Sequence, residues 1–212
     1  MKRMLFLYNP TAGKGTAASH LSTIVDVFTK AGWLTTVYPT QEKRDATRIV
    51  RELGAYYDRV VCSGGDGTLS ETAAGLMELS RPPVLGYIPA GSTNDCAATL
   101  RIPRGYKKAA ELAAGDSGLL CWDIGTLNQK PFVYVAAFGA FTEVAYDTPQ
   151  DLKKTFGHLA YIMAGIASLP SIAPYHLKVE YDGKTLEDDF FYGMVCNTDS
   201  VAGMKNLPTD RV

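Results

Sequence analysis

The chain has 212 residues, which is enough for one large domain or two small ones with a hydrophobic core. Hydrophobic residues make up 46% and charged residues 20%, as in ordinary globular proteins, and the net charge of −1 gives no bias towards nucleic acid. No run of about 18 apolar residues is present, and the apolar start ends at Asn9-Pro10, so neither a membrane span nor an export signal is expected.

The first half of the chain alternates between strand and helix patterns. Apolar runs at residues 4–8, 34–38, 60–61 and 84–88 predict strands. Apolar residues at helical spacing predict helices at residues 21–28, 45–53, 69–79, 96–100 and 107–114, with Asp45 and Thr68 expected as helix caps. This alternation predicts a doubly wound parallel sheet with right-handed crossovers.

A polar loop follows three of these strands, at residues 9–15, 62–68 and 89–95. Ligands of doubly wound sheets bind outside the carboxyl ends of the strands, so the three loops are expected to converge on one crevice. The sequence therefore predicts a binding site at this edge of the sheet.

The loop Gly64-Gly65-Asp66-Gly67-Thr68 carries the strongest chemical signal. Its three glycines let backbone N–H groups approach an anion closely, and the helix that follows adds partial positive charge, so the loop suits a phosphate. A carboxylate among phosphates indicates a divalent cation or a role in proton transfer. A glycine-rich hairpin turn is the alternative, which the helical pattern after the loop disfavours.

Lys14 lies in the first polar loop, which is not a Walker motif because Tyr8 stands where that motif needs glycine. It either reaches a phosphate as a point charge or is a solvated loop lysine.

The four cysteines, Cys62, Cys96, Cys121 and Cys196, lack C-x-x-C spacing and predict buried free thiols in a reducing compartment, the cytoplasm. The three histidines are isolated, which gives no evidence for zinc.

The second half of the chain is richer in strand patterns, at residues 119–127, 130–139, 176–181 and 189–196, with a hairpin signal at Asp182-Gly183. We therefore expect an α/β nucleotide-binding domain at residues 1–118 and a β-rich domain at residues 119–212. A helix is predicted at residues 150–168, where an apolar stripe indicates core packing or, as the alternative, a groove for an acyl chain. The basic residues Arg101, Arg104, Lys107 and Lys108 form either a solvated surface or a contact with anionic lipid.

Three motifs, residues 9–14, 64–68 and 89–95, resemble in their order and spacing the catalytic domain of the diacylglycerol kinase family, especially its soluble bacterial lipid kinases. The second motif alone also resembles NAD kinases and phosphofructokinases. The likeness continues through Asp123-Ile124-Gly125 and residues 157–161 to residues 197–210, so it covers essentially the whole chain.

The resemblance implies an N-terminal α/β domain like that of NAD kinases and phosphofructokinases, and a C-terminal β-sandwich that acts on the lipid. It implies that ATP, with Mg²⁺, donates its γ-phosphoryl group to the hydroxyl of diacylglycerol or a similar lipid, which gives phosphatidic acid. It also implies a cytoplasmic protein with peripheral contact to the inner face of the membrane, and a homodimer as one possible assembly.

The resemblance also assigns residues. Lys14, Asp66 and Asp95 would form the charged catalytic network, with Asp66 towards the metal. The residues that would contact the nucleotide lie in the three loops and at the end of the second strand: Asn9, Pro10, Thr11, Ala12, Gly13, Thr40, Gly64, Gly65, Gly67, Thr68, Thr93 and Asn94.

Members of this family usually continue about a third further, with an acidic segment after the position of Val212 and later an Asp thought to act as general base. The printed sequence stops before both, so the resemblance predicts an incomplete sandwich with an unpaired strand edge. The sequence therefore leaves two alternative functions open: an NAD-kinase-like kinase for a soluble acceptor, and a nucleotide-binding module without catalysis.

Overall fold

The protein is described by a computed structural model that covers residues 1–13, 15–139, 173–181, 183–198, 200–201 and 204–205. The first part alternates strands and helices, in the order β1 (Lys2–Tyr8), α1 (Leu21–Lys30), β2 (Trp33–Pro39), α2 (Asp45–Leu53), β3 (Arg59–Gly64), α3 (Asp66–Met77), β4 (Val84–Pro89), α4 (Asp95–Thr99) and α5 (Tyr106–Ala114). Short 3-10 turns at Ala18–His20 and Gly54–Tyr56 complete it.

Strands β1 to β4 form one parallel sheet in the order β2-β1-β3-β4. The chain moves from β1 outwards to β2 and then returns to the other side of β1 for β3. The strand order therefore reverses between β1 and β3, and this switch point is where doubly wound sheets bind their ligands.

Helices cover both faces of the sheet. Leu5 and Leu7 of β1 point towards α2 and α3 and join a core with Val50 and Leu76. The alternate residues of β1, such as Phe6, point towards α1 and α5 on the other face. Strand β1 is therefore buried on both faces, which explains its unbroken apolar run, and the predicted doubly wound α/β fold is confirmed.

Two predicted helix caps are wrong in detail. Helix α3 begins at Asp66 with Gly65 as its N-cap, so Thr68 lies inside the helix. Helix α2 has Arg44 as its N-cap, and Asp45 is the first helical residue. In both cases a backbone geometry that is not visible in the residue pattern starts the helix earlier. The Asp45 carboxylate still accepts a bond from the N–H of Gln41, at 2.9 Å, and so stabilises the start of α2.

The later strands pair antiparallel, as expected for the C-terminal region. They are β5 (Gly125–Leu127), β6 (Lys130–Phe132), β7 (Val135–Gly139), β8 (Tyr175–Tyr181), β9 (Lys184–Phe190), β10 (Tyr192–Cys196), β11 (Ser200–Val201) and β12 (Met204–Lys205). The pairs are β5–β6, β7–β10, β8–β9 and β11–β12. The register of β8 and β9 brings Tyr181 opposite Lys184, in agreement with the predicted hairpin. The helix predicted at residues 150–168 lies outside the described residues.

The chain divides into two compact units, one of Met1–Tyr134 with Asn197–Val212 and the other of Val135–Cys196. Residues 119–134 group with the α/β unit here, whereas the sequence pattern places a domain boundary at residue 118. The two domains at residues 1–118 and 119–212, and the sandwich in the second, stay predictions.

All four cysteines are described and free, but only Cys62 and Cys96 are buried, whereas Cys121 and Cys196 are exposed. The expectation of buried thiols therefore holds for the two cysteines in the α/β fold. Among the described residues, no helix has both the length and the apolar content needed to cross a bilayer.

Candidate active site

Three loops meet at the carboxyl edge of the sheet. We call them the β1 loop (residues 9–17), the β3 turn (residues 64–68) and the β4 loop (residues 90–94). Their backbones touch: a Cβ atom on Gly91 would lie only 2.5 Å from the Cα of Gly65, and one on Gly13 would collide with the carbonyl oxygen of Ala90. Gly13 also has a φ of +56°, which favours glycine. Glycine is therefore required here for loop-to-loop packing.

Backbone and side-chain hydrogen bonds join the β1 loop to the β3 turn. The N–H of Asn9 donates to the carbonyl of Ser63 at 2.8 Å, and its side-chain Nδ2 donates to Oγ1 of Thr68 at 3.4 Å. The Oδ1 atom of Asn9 accepts bonds from the N–H and the hydroxyl of Thr11, both at 2.9 Å. Asn9 thus shapes its own loop and holds it against the start of α3.

The β4 loop is joined to the β3 turn through one carbonyl. The oxygen of Gly64 accepts bonds from the N–H groups of Ala90 and Gly91, at 2.8 and 3.2 Å, and from the hydroxyl of Tyr87 at 3.2 Å. Asn94 closes the loop, because its Oδ1 accepts from Gly91 N–H at 2.8 Å and its Nδ2 donates to the Gly91 carbonyl at 2.7 Å. Both ends of the Asn94 amide are therefore engaged within the protein.

Asp66 connects the β3 turn to helix α4. Its two carboxylate oxygens accept one backbone bond each, from the N–H of Asp95 and from the N–H of Cys96, both at 3.0 Å. Burial raises the pKa of the Asp66 carboxyl above its ordinary value, the nearby Asp95 charge adds to that rise, and the two N–H bonds oppose it. Asp66 therefore has a structural task at the start of α4, whatever else it binds.

Asp95 is buried beside Asp66, and the hydroxyl of Tyr134 donates to its Oδ2 at 2.9 Å. Asp66 is also the first residue of α3, so the start of this helix lies beside Asp95. Its first helical bond runs from Leu69 N–H to the Gly65 carbonyl, so the N–H groups of Asp66, Gly67 and Thr68 precede the helical ladder. These amides and the α3 dipole form an environment that favours an anion.

The other residues predicted to contact the nucleotide differ in their exposure and in their contacts with the three loops. Thr40 follows β2 and donates its N–H to the carbonyl of Tyr8 at 2.9 Å, next to Asn9. Ala12 of the β1 loop is buried, whereas Thr11 and Thr93 are exposed on their loops. Pro10 is half-buried. Lys14 lies outside the described residues.

The family model for the diacylglycerol kinase catalytic domain matches residues 3–119, which contain all three loops. A diacylglycerol kinase of Bacillus subtilis (strain 168) is 38% identical over 212 residues, which are 99% of this chain and 70% of that protein. The chain belongs to this family. It is therefore a kinase, an enzyme that transfers a phosphoryl group, and the family supports a role as a lipid kinase.

The chain is also similar to other members of the diacylglycerol kinase family. The diacylglycerol kinase of Staphylococcus carnosus (strain TM300) is 35% identical over 210 residues, 99% of this chain and 68% of that protein. A crystal structure of a diacylglycerol kinase from Bacillus anthracis str. Sterne has a TM-score of 0.76 and 28% identity, over 96% of this chain and 67% of that one. The chain thus spans about two thirds of the length of the relatives that it matches.

The donor set at the loops fits Mg²⁺ that arrives with a nucleotide. A carboxylate can accept about four bonds, and the donors to Asp66 are the N–H groups of Asp95 and Cys96 and the Cys96 thiol, so the carboxylate can still accept a further ligand. Mg²⁺ is commonly held by one or two protein carboxylates together with phosphates and water. Within the described part of the chain, no group of three or more His, Cys, Asp or Glu side chains forms a metal site of its own.

Sequence reasoning missed three tyrosines that support the site, Tyr87, Tyr106 and Tyr134. Tyr87 lies in an apolar strand pattern, which hides the fact that its buried hydroxyl reaches the β3 turn and Asn94. Tyr134 and Asp95 are 39 positions apart in the sequence, and only the fold brings them together. No local pattern marks such residues, because their partners come from other elements.

Proposed function

We propose that the protein transfers the γ-phosphoryl group of ATP to the hydroxyl of diacylglycerol or a similar lipid. In this reaction the lipid oxygen forms a bond to the γ-phosphorus, the bond from that phosphorus to the β–γ bridging oxygen breaks, and the hydroxyl proton is released. The products are ADP and phosphatidic acid. The observation that carries the proposal is the glycine turn at the start of α3, placed at the switch point of the sheet and packed against two further loops.

The three loops divide the work of binding the nucleotide. The β3 turn offers the N–H groups of Asp66, Gly67 and Thr68 to phosphate oxygens, and the α3 dipole favours their negative charge. The β1 loop, with residues 9–13, and Thr40 flank the nucleotide. Thr93 and the backbone of Asn94 in the β4 loop contribute further contacts, because the Asn94 amide group already closes that loop. Phosphoryl transfer depends mainly on positioning and charge neutralisation, which such loops provide.

The charged residues complete the site. Asp66 would hold Mg²⁺, which when bound neutralises negative charge on the phosphates, and Asp95 would complete the charged network beside it. Lys14 acts as a positive point charge towards the phosphates. Because the Asp66 carboxylate is already fixed by two backbone N–H groups, its orientation is set before the ligand arrives.

The lipid acceptor is proposed from the relatives, whose names specify diacylglycerol. We propose a cytoplasmic enzyme that meets this lipid at the inner face of the membrane through its basic surface at Arg101, Arg104, Lys107 and Lys108, all of which are exposed. Lys107 and Lys108 lie in the first turn of α5, at the same edge of the sheet as the three loops. A homodimer stays a prediction that sedimentation of the protein would test.

The deciding experiment is a transfer assay with labelled ATP and diacylglycerol in detergent micelles. Labelled phosphatidic acid is the expected product. Label on NAD or another soluble acceptor, formed without lipid or detergent, would replace the lipid assignment with an NAD-kinase-like one. ATP binding by calorimetry without turnover on any acceptor would instead indicate a nucleotide-binding module.

A further inference from the structure

Tyr106, the first residue of α5, lies outside all three motifs but contacts the β1 loop and its 3-10 turn at several points. Its hydroxyl is 2.8 Å from Oγ1 of Thr16, and its ring stacks on His20 with centroids 4.3 Å apart and planes inclined by 21°. The ring also packs against a small buried cluster formed by Ala12, Ala17 and Ala90. One side chain thus contacts Thr16 and His20 directly and packs against the alanine cluster that joins the β1 loop to the β4 loop.

Two glycines weaken the conformational preference of the segment that follows Asn9. Gly13 and Gly15 both have positive φ, +56° and +70°. Among its described residues, backbone bonds run from Ala12 to Asn9, from Gly15 to Ala12 and from His20 to Ala17, and side-chain bonds join Thr11 to Asn9 and Ser19 to the Thr16 carbonyl. Glycines leave an unconstrained chain with many conformations, so an outside contact that selects one of them has a large effect on the loop.

Helix α5, in contrast, is firmly fixed at its other end. The buried guanidinium of Arg59 donates to the carbonyls of Ala113 and Gly115, at 2.9 and 2.6 Å, and the indole N–H of Trp33 donates to the carbonyl of Ala114 at 3.0 Å. The guanidinium also lies over the Trp33 ring, 4.9 Å from its centroid. These bonds satisfy carbonyls at the helix end, so Tyr106 is presented by a rigid element.

We propose that Tyr106 is a positioning residue that holds the β1 loop in the conformation that binds the nucleotide. The proposal rests on the proposed function of that loop. Because Tyr106 acts on the loop and makes no contact with the lipid acceptor in this scheme, its loss weakens the use of ATP and leaves the use of lipid unchanged.

The test uses Tyr106→Phe, which keeps the ring and removes the hydroxyl, together with Thr16→Val and the double variant. One neutral hydrogen bond corresponds to about a fivefold change, so we expect KM for ATP to rise about fivefold in each single variant. KM for lipid and kcat should stay within about twofold. The double variant should resemble the single ones, because both remove the same bond. Tyr56→Phe is the matched control, because this exposed tyrosine precedes β3 and so lies at the opposite edge of the sheet from the loops.

Amide hydrogen exchange of residues 9–20 provides a second measurement that does not depend on nucleotide. Tyr106→Phe should exchange faster in this segment and normally in β1 and β3. Unchanged exchange and an unchanged KM for ATP would overturn the proposal, as would equal losses for ATP and lipid or additive effects in the double variant. If the wild-type protein binds no ATP, the proposed function fails, and the exchange data still decide whether Tyr106 positions the loop.

Discussion

The Asp66 carboxylate has two roles. It accepts backbone N–H bonds at the start of α4, and in the proposed function it binds Mg²⁺. We predict that Asp66→Asn lowers kcat by about 100-fold. It should also lower the free energy of unfolding by about 1–3 kcal/mol, because the amide group cannot accept from both Asp95 and Cys96. Enzyme assays and urea unfolding measure the two effects.

Asp58→Asn is the matched control for Asp66. Its carboxylate also accepts a backbone N–H, that of Arg3 at 2.7 Å, but it precedes β3 and so lies at the opposite edge of the sheet. The control should lose some stability and keep its activity. Wild-type activity in Asp66→Asn would remove Asp66 from the catalytic network.

Substitutions of glycine residues in the loops can distinguish effects on ATP affinity from effects on the stability of the fold. A Cβ on Gly67 would meet no atom within 4 Å, and the residue lies in the first turn of α3. We predict that Gly67→Ala keeps or raises stability, by up to about 1 kcal/mol, because alanine favours helix. ATP affinity should nevertheless fall at least about tenfold, because the added methyl group stands where phosphate is expected.

Gly91→Ala supplies the contrast, because its Cβ would lie 2.5 Å from the Cα of Gly65 in another loop. This variant should lose about 1–3 kcal/mol of stability through overpacking, even without nucleotide. Thermal unfolding with and without ATP measures both variants. Unchanged ATP affinity in Gly67→Ala would show that phosphate does not approach the β3 turn.

At the scale of elements, α2 depends on a buried carboxylate close to Thr40. Burial alone would raise the pKa of Asp45, but bonds from Gln41 N–H and from Arg48, at 2.9 and 2.6 Å, outweigh it and lower the pKa below its ordinary value. A lowered pKa in the folded state stabilises the protein above the ordinary pKa of 3.8, and this stabilisation is lost as pH falls through the folded value.

We therefore predict that Asp45→Asn costs about 1–3 kcal/mol at roughly pH 7 and less at roughly pH 3, below the ordinary pKa, as measured by urea unfolding at both pH values. Glu52→Gln is the control, because Glu52 also pairs with Arg48 but is half exposed at 48%. Exposed ion pairs contribute little, so its effect should be small at every pH. An equal loss for Asp45→Asn at both pH values would contradict the assigned role of the charge.

The sequence predicted the elements where one physical signal dominates. Apolar runs identified β1 and β4, and the rule for doubly wound sheets placed the three loops at one edge. Strand β9 was missed over most of its length, because Lys184–Phe190 carries charged residues on both faces and pairs with β8 through its backbone. The helix starts at Asp45 and Asp66 and the tyrosine contacts depend on local geometry or on distant partners, which residue patterns do not record.

On the scale of the whole molecule, the strand order explains why one edge of the α/β fold carries so many functional features. The strand order reverses between β1 and β3, and doubly wound sheets bind ligands at the carboxyl ends of the strands beside such a reversal. Helix α5 begins at that same edge, as the bond between Tyr106 and Thr16 shows, and ends at the opposite edge beside Arg59. The exposed Lys107 and Lys108 therefore lie at the edge of the sheet where we propose that the nucleotide binds.

This position leads to a prediction about membranes. Basic residues near an anionic surface contribute about 1 kcal/mol each, so Lys107→Glu with Lys108→Glu should weaken binding to vesicles that contain anionic lipid by at least about 30-fold. The matched control is Lys30→Glu with Arg81→Glu, which makes the same change in charge at exposed positions near the opposite edge of the sheet. Vesicle sedimentation at low salt should separate the two variants, and raised salt should remove the difference. Phosphorylation of a short-chain, water-soluble diacylglycerol should be equal in both, because no surface is needed to present it. Equal vesicle binding by the two variants would show that this edge of α5 is an ordinary solvated surface and that the enzyme meets its lipid elsewhere.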